Sequence, residues 1–110
     1  MICKKAMTIL AKRIREARLL SGISQQNLAI KIGVDPSVAS TRMNRYEQGS
    51  RTPGPVIVEL IARELKLPAA YFYAETDDEA KLLRWFSQLG MKEQAKVMQK
   101  IEAGAGKKRR

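Results

Sequence analysis

The side chains best equipped for chemistry in this chain form a short polar run: Ser37, Ser40, Thr41, Arg42, Asn44 and Arg45. At about 100° per residue, a helix that turns Ala39, Met43 and Tyr46 inward turns Ser37, Ser40, Thr41, Asn44 and Arg45 outward. Hydroxyls, an amide and a guanidinium on one face recognise by hydrogen bonding. The targets they suit are base edges: arginine bidentate to guanine, asparagine to adenine, the threonine methyl against thymine. An ordinary solvated helix face would be richer in Glu and Lys. Nucleophilic and acid–base chemistry has little to work with, because the chain contains no histidine. Its single cysteine, Cys3, forms neither an internal disulfide nor a zinc-type cluster. No paired carboxylates converge with a glycine-rich or metal-ligand pattern. No catalytic residue, metal or cofactor is assigned, and a non-enzymatic protein is expected.

The charge favours the same half of the chain. Of a net +10, residues 1–53 carry +7, residues 54–106 carry −1, and Lys107–Arg110 carry +4. A basic half suggests a polyanion-facing surface, although a surface kept basic for solubility has the same composition. A membrane surface fits less well: the aromatic residues lie at Tyr46 or in the near-neutral half, away from the charge. No apolar run reaches the roughly 18 residues of a membrane span. The first thirteen residues lack the unbroken apolar stretch of a secretory signal, so a reduced, cytoplasmic setting is expected.

Those polar side chains must be carried by helices, because the apolar pattern is helical throughout and no strand signal stands out. Leu10, Ile14, Ala17 and Leu20 mark one face of a first helix, with Lys12, Arg13, Arg15, Glu16 and Arg18 on the remaining surface. Ser21-Gly22 stops it. Ser24 caps a second helix holding Leu28, Ala29 and Ile32, and Gly33-Val34 ends it. Asp35-Pro36 reads as an N-cap with proline at the first helical position, giving a third helix at about 36–47. The breaker-dense run from Gln48 to Pro55 is a loop. Ile57, Leu60, Ile61 and Leu65 mark a fourth helix, and Ala69–Tyr73 a short fifth that lays Tyr71 and Phe72 on the core. Thr76-Asp77-Asp78-Glu79 is a capping box opening a helix with Leu82, Trp85, Phe86 and Leu89. After Gly90, Met91 to about Ala103 carries Ala95, Met98 and Ile101 at similar spacing.

In order, Arg18, Ser24-Gln25, Leu28-Ala29, Ile32-Gly33-Val34, Arg45-Tyr46-Glu47-x-Gly49, Pro53 and Leu60-Ile61-Ala62 resemble the Cro/phage-repressor (XRE) family of DNA-binding domains. Each piece is weak alone, but the ordered set is specific. The resemblance implies an all-α fold, a five-helix lambda-repressor-like helix-turn-helix domain, here followed by a C-terminal helical hairpin. It implies double-stranded DNA as partner and a sequence-specific transcriptional regulator of bacterial or phage origin, acting at the nucleoid. Counted back from Glu47, the base-reading positions fall on Ser40, Thr41 and Arg45, with Arg42 and Asn44 flanking. Gln25 resembles the glutamine that meets a phosphate, and its loss should weaken binding to all sequences. Gln26, Ser37 and Arg51 join it as phosphate contacts. Arg18 and Glu47 resemble the family's interhelical ion pair.

One departure from the pattern concerns the start of the reading helix. Fourteen steps separate Gly33 from Glu47, four more than the family's usual spacing. Four residues are about 6 Å of helix and about 400° of rotation, so an added turn returns nearly to the same face. Either the third helix is longer by one turn at its start, or residues 35–38 form a longer turn and the helix begins near Ala39.

The expected organisation is a DNA-binding domain at 1–75, a hairpin at 76–103 and a flexible basic tail at 104–110. Two hairpin helices alone have little core. Their apolar faces therefore need either the first domain or a second copy, and Leu82, Trp85, Phe86, Leu89, Met98 and Ile101 are the expected homodimer interface. A dimer matches a palindromic operator with half-sites about 34 Å apart. Repression follows where that operator overlaps a promoter. The alternative is a protein-interaction module, such as an antitoxin-like subunit, using the same bundle.

Overall fold

A seam of Leu10, Ile14 and Ala17 runs along α1 (Ile2–Ser21) and is buried throughout. The computed structural model describes the backbone of residues 2–109 and the side chains of residues 9–106. The side chain of Cys3 therefore lies outside the described residues. Gly22, with a positive φ of 73°, turns the chain out of α1. Ser24 caps α2 (Gln25–Lys31), its hydroxyl accepting from the Asn27 N–H at 3.0 Å. Next come α3 (Ala39–Gln48), α4 (Pro55–Leu65), a 3-10 helix at Ala69–Tyr73, α5 (Asp77–Gln88) and α6 (Met91–Arg109). The described residues contain no strand.

The core gathers Leu10, Ile14, Ala17, Leu28, Met43, Val58, Ile61, Tyr71 and Phe72. The fifth segment is a 3-10 turn rather than an α-helix, and it carries Tyr71 and Phe72, the two largest aromatic side chains that are fully buried. Their rings meet edge to face, with centroids 5.1 Å apart and planes at 85°. Such a pair adds about 0.5–1.5 kcal/mol to the burial of each ring.

α5 has two apolar faces. Ala80 is buried and Leu83 packs on the core, so this side docks α5 against the 3-10 helix. Leu82, Trp85 and Leu89 point outward. The start of α5 is secured by a complete capping box: Thr76 accepts from the Glu79 N–H at 3.1 Å while Glu79 accepts from the Thr76 N–H at 3.1 Å. α6 shares no extended backbone contact with the core helices. It continues through Gly104 and Gly106 to Arg109, past the expected end near Ala103. Alanines beside the two glycines favour the helical ladder. The side chains of Lys107–Arg110 lie outside the described residues.

The sharpest correction to the surface pattern of α1 is Arg13. Expected among the exposed charges, it is 1% exposed. Its Nε donates to the Ala74 carbonyl at 3.1 Å, and Nη1 donates to Glu16 Oε1 at 3.2 Å and Asp77 Oδ1 at 3.0 Å. Lys12 reaches the same Asp77 oxygen at 3.0 Å. A buried guanidinium is tolerated when carbonyl and carboxylate acceptors surround it. Glu16 also accepts a hydrogen bond from the Tyr71 hydroxyl. Burial, then Glu16, push the Tyr71 phenol well above its ordinary range. Arg13 thereby fastens α1 to the entry of α5.

Candidate nucleic-acid interface

α3 has one buried face and one polar face. Ala39 and Met43 are fully buried and Tyr46 is nearly so. Ser40, Thr41, Asn44 and Arg45 are exposed, and Arg42 is half-buried. Gly49 ends the helix in the left-handed region at φ 78°. A Cβ there would meet only Ala11 Cβ, at 3.8 Å, so the conformation rather than lack of room requires glycine. Beyond it the loop folds back on the helix end: the Arg51 N–H donates to the Arg45 carbonyl at 3.3 Å, and Ser50 Oγ donates to the same oxygen at 3.4 Å. The Arg51 side chain is exposed beside the end of α3.

The start of α3 resolves the two readings of its spacing. The extra residues lie in the connection, and the helix begins at Ala39, not at about residue 36. Gly33, with φ 99°, reverses the chain after α2. Asp35 then gathers the turn: its Oδ1 accepts from the Ser37 N–H at 2.8 Å and from Ser37 Oγ at 2.7 Å. Those bonds also hold the Asp35 carboxyl below its usual range. The Val38 N–H donates to the Asp35 carbonyl at 3.0 Å, a one-turn closure that precedes the α-helical ladder. Asp35 thus caps a turn rather than a helix. Ser37 is exposed beside the start of α3, with its hydroxyl proton given to Asp35.

Beneath the polar face runs a hydrogen-bonded chain. The Glu47 side chain is fully buried and the Arg18 side chain is 12% exposed. Arg18 grips the carboxylate at two points, Nε to Oε2 at 2.5 Å and Nη2 to Oε1 at 3.1 Å, while Nη1 donates to the Ile23 carbonyl at 3.0 Å. Gln25 Nε2 donates to Glu47 Oε1 at 3.1 Å and to Asn44 Oδ1 at 3.2 Å. Both side-chain donors of Gln25 are therefore spent inside the protein, where the resemblance had pointed them at a phosphate. Gln26, next to it, is exposed. The links from Gln25 to Glu47 and Asn44 escaped sequence reasoning. So did Arg13, although its place three residues after Leu10 and four before Ala17 puts it on the apolar seam.

The hairpin residues form a second, apolar surface. Leu82, Trp85, Leu89, Met98 and Ile101 are exposed and Phe86 is half-buried. A groove between α5 and α6 is lined by Leu82, Leu83, Phe86, Met98 and Ile101. Gln94 Nε2 donates across the hairpin to the Phe86 carbonyl at 2.9 Å. The Arg84 guanidinium lies 5.4 Å from the centre of the Trp85 ring. Among the described residues no helix is long and apolar enough to cross a membrane, and no group of His, Cys, Asp or Glu could hold a metal ion.

No curated protein matches the chain. Among solved structures, that of the transcriptional regulator BswR is similar, with a TM-score of 0.81 and 33% identity, over 84% of this chain and 92% of that one. A Helix-turn-helix family model matches residues 14–72, from the middle of α1 to the 3-10 helix. That span takes in the Arg18–Glu47 link, the turn at Gly33 and the two-faced α3, and with more than half of its length matched the chain belongs to the helix-turn-helix family of Cro/phage-repressor (XRE) type.

Proposed function

We propose that this protein is a sequence-specific regulator of transcription that lays α3 in the major groove of double-stranded DNA. The observation that carries the reading is the exposed row Ser40, Thr41, Asn44 and Arg45 on a helix whose opposite face is locked into the core. A rod held so firmly presents donors and acceptors at fixed positions, as base reading requires. Arg45 is the strongest base contact, able to grip guanine bidentately. Ser40, Thr41 and Asn44 add neighbouring contacts, with Arg42 at the edge. Gln26 and Arg51 flank this row and meet phosphate oxygens, Gln25 joins them through its backbone N–H, and Ser37 does so only by exchanging Asp35 for the phosphate as the acceptor of its hydroxyl. Family membership and likeness to a structure titled as a transcriptional regulator support the same conclusion.

A second copy completes the reader. One short helix reads only a few base pairs, and joining two multiplies affinity and discrimination. The outward residues of α5 and α6 supply the symmetric surface, which fits a palindromic operator. Bound over a promoter, such a dimer excludes polymerase and represses.

Selection of binding sites from random duplexes tests the proposal. The expected result is a palindrome whose affinity falls with salt, with a slope of log K near about −5 if six phosphates are neutralised. Arg45→Ala should cost about 1–3 kcal/mol of discrimination at one base pair per half-site, while affinity for random duplex barely changes. Equal loss on selected and random DNA removes Arg45 from the reading role. Absence of duplex binding at low salt overturns the proposal in favour of a protein-interaction module.

A further inference from the structure

The hydrogen-bonded chain beneath α3 has a polarity that reaches the solvent. A carboxylate only accepts, and Arg18 holds that of Glu47 in place from the other side. The atom of Gln25 that lies 3.1 Å from Glu47 Oε1 must therefore be its amide nitrogen, since an oxygen would set two acceptors against each other. That same nitrogen is 3.2 Å from the Asn44 amide. It carries two hydrogens, gives one to each neighbour, and so meets the oxygen of Asn44. The Asn44 nitrogen occupies the other branch of its amide, away from Gln25. Glu47 thus sets the sense of the Gln25 amide, and Gln25 sets the sense of the next.

Resting on the reading of α3 as the groove-facing helix, we propose that Gln25 is a positioning residue that turns Asn44 into a donor toward the bases, so that Asn44 selects guanine over adenine. An asparagine recognises adenine by accepting from N6 through its oxygen while donating to N7 through its nitrogen. With the oxygen drawn back to Gln25, the accepting half of that pair is withdrawn. Guanine offers N7 and O6, both acceptors, which match the two hydrogens left on Asn44 Nδ2. The usual adenine preference of asparagine is thereby reversed by a neighbour that itself touches no base.

Site selection with the full-length chain and two variants tests this. Asn44→Ala, an exposed change on a helix, identifies the base pair that Asn44 reads as the position whose preference flattens. At that pair the wild type should favour guanine over adenine by about tenfold, the scale of one good side-chain pairing. Gln25→Met keeps the length of the side chain but removes its amide. It should erase or invert that ratio while leaving the preference read by Arg45 intact, a pattern that a general loss of fold does not produce. Adenine chosen there by the wild type overturns the proposal, and that comparison needs no variant at Gln25. A guanine preference unchanged in Gln25→Met, or no position altered by Asn44→Ala, overturns it as well while leaving the DNA-binding reading standing. Failure of the wild type to bind any duplex removes both.

Discussion

Glu47 carries its charge where no water reaches, and it bears three hydrogen bonds from Arg18 and Gln25. A buried ion pair is poor evidence of net stability, because desolvation offsets much of the attraction. Removing one member is costly all the same, since the other is stranded. Glu47→Ala should therefore lower the unfolding free energy by about 3–5 kcal/mol in urea titrations. Replacing both, as Arg18→Met with Glu47→Leu, should recover most of it. A double variant as unstable as Glu47→Ala contradicts this account of the pair. The apolar double variant also strips Gln25 of the acceptor that orients it, so stability and base preference separate at this residue.

At the scale of the element, the entry of α5 depends on charge as well as on its capping box. Lys12, then Arg13, hold the Asp77 carboxyl below its ordinary range by hydrogen bonds to Oδ1. A depressed value means that the carboxylate contributes stability above the unfolded-state pKa, about 3.9, and loses it as pH falls through the folded value. Wild type should exceed Asp77→Asn in thermal midpoint at neutral pH, and the gap should close below about pH 4. A gap that persists unchanged into acid points to lost packing instead. Elements were also where the sequence was most legible. Ser24, Gly49 and the Thr76–Glu79 box announced helix ends because capping is chemistry between residues a few places apart. Asp35-Pro36 misled for the same kind of reason. A helix cap and an Asx turn share their residues, and the Ser37 N–H and hydroxyl were both within reach of Asp35.

The whole molecule extends over 55 × 35 × 20 Å, with α6 standing clear of the core. One side of α5 is used to attach the hairpin, and the other leaves Trp85 54% exposed beside Leu82 and Leu89. If two copies join through this surface, Trp85→Glu should yield monomers by analytical ultracentrifugation with helical content unchanged. The monomers should bind a palindrome hardly better than a half-site. Dimers persisting in the variant would move the interface elsewhere on the molecule.

Periodicity, caps and breakers, all of them short-range, determined the helices and the split of α3 into an inward row of Ala39, Met43 and Tyr46 and an outward polar row. Tertiary structure decided the rest: that Arg13 is buried, that the extra residues form a turn, and which way the Gln25 and Asn44 amides point. The turn closes on neighbours two and three positions from Asp35, but the other two outcomes hang on partners far along the chain, 64 positions from Arg13 to Asp77, 29 from Arg18 to Glu47 and 19 from Gln25 to Asn44. A charged or amide side chain takes its place from whichever acceptor the folded chain brings to it, and only the packing of α1 against α2, α3 and the entry of α5 makes that choice.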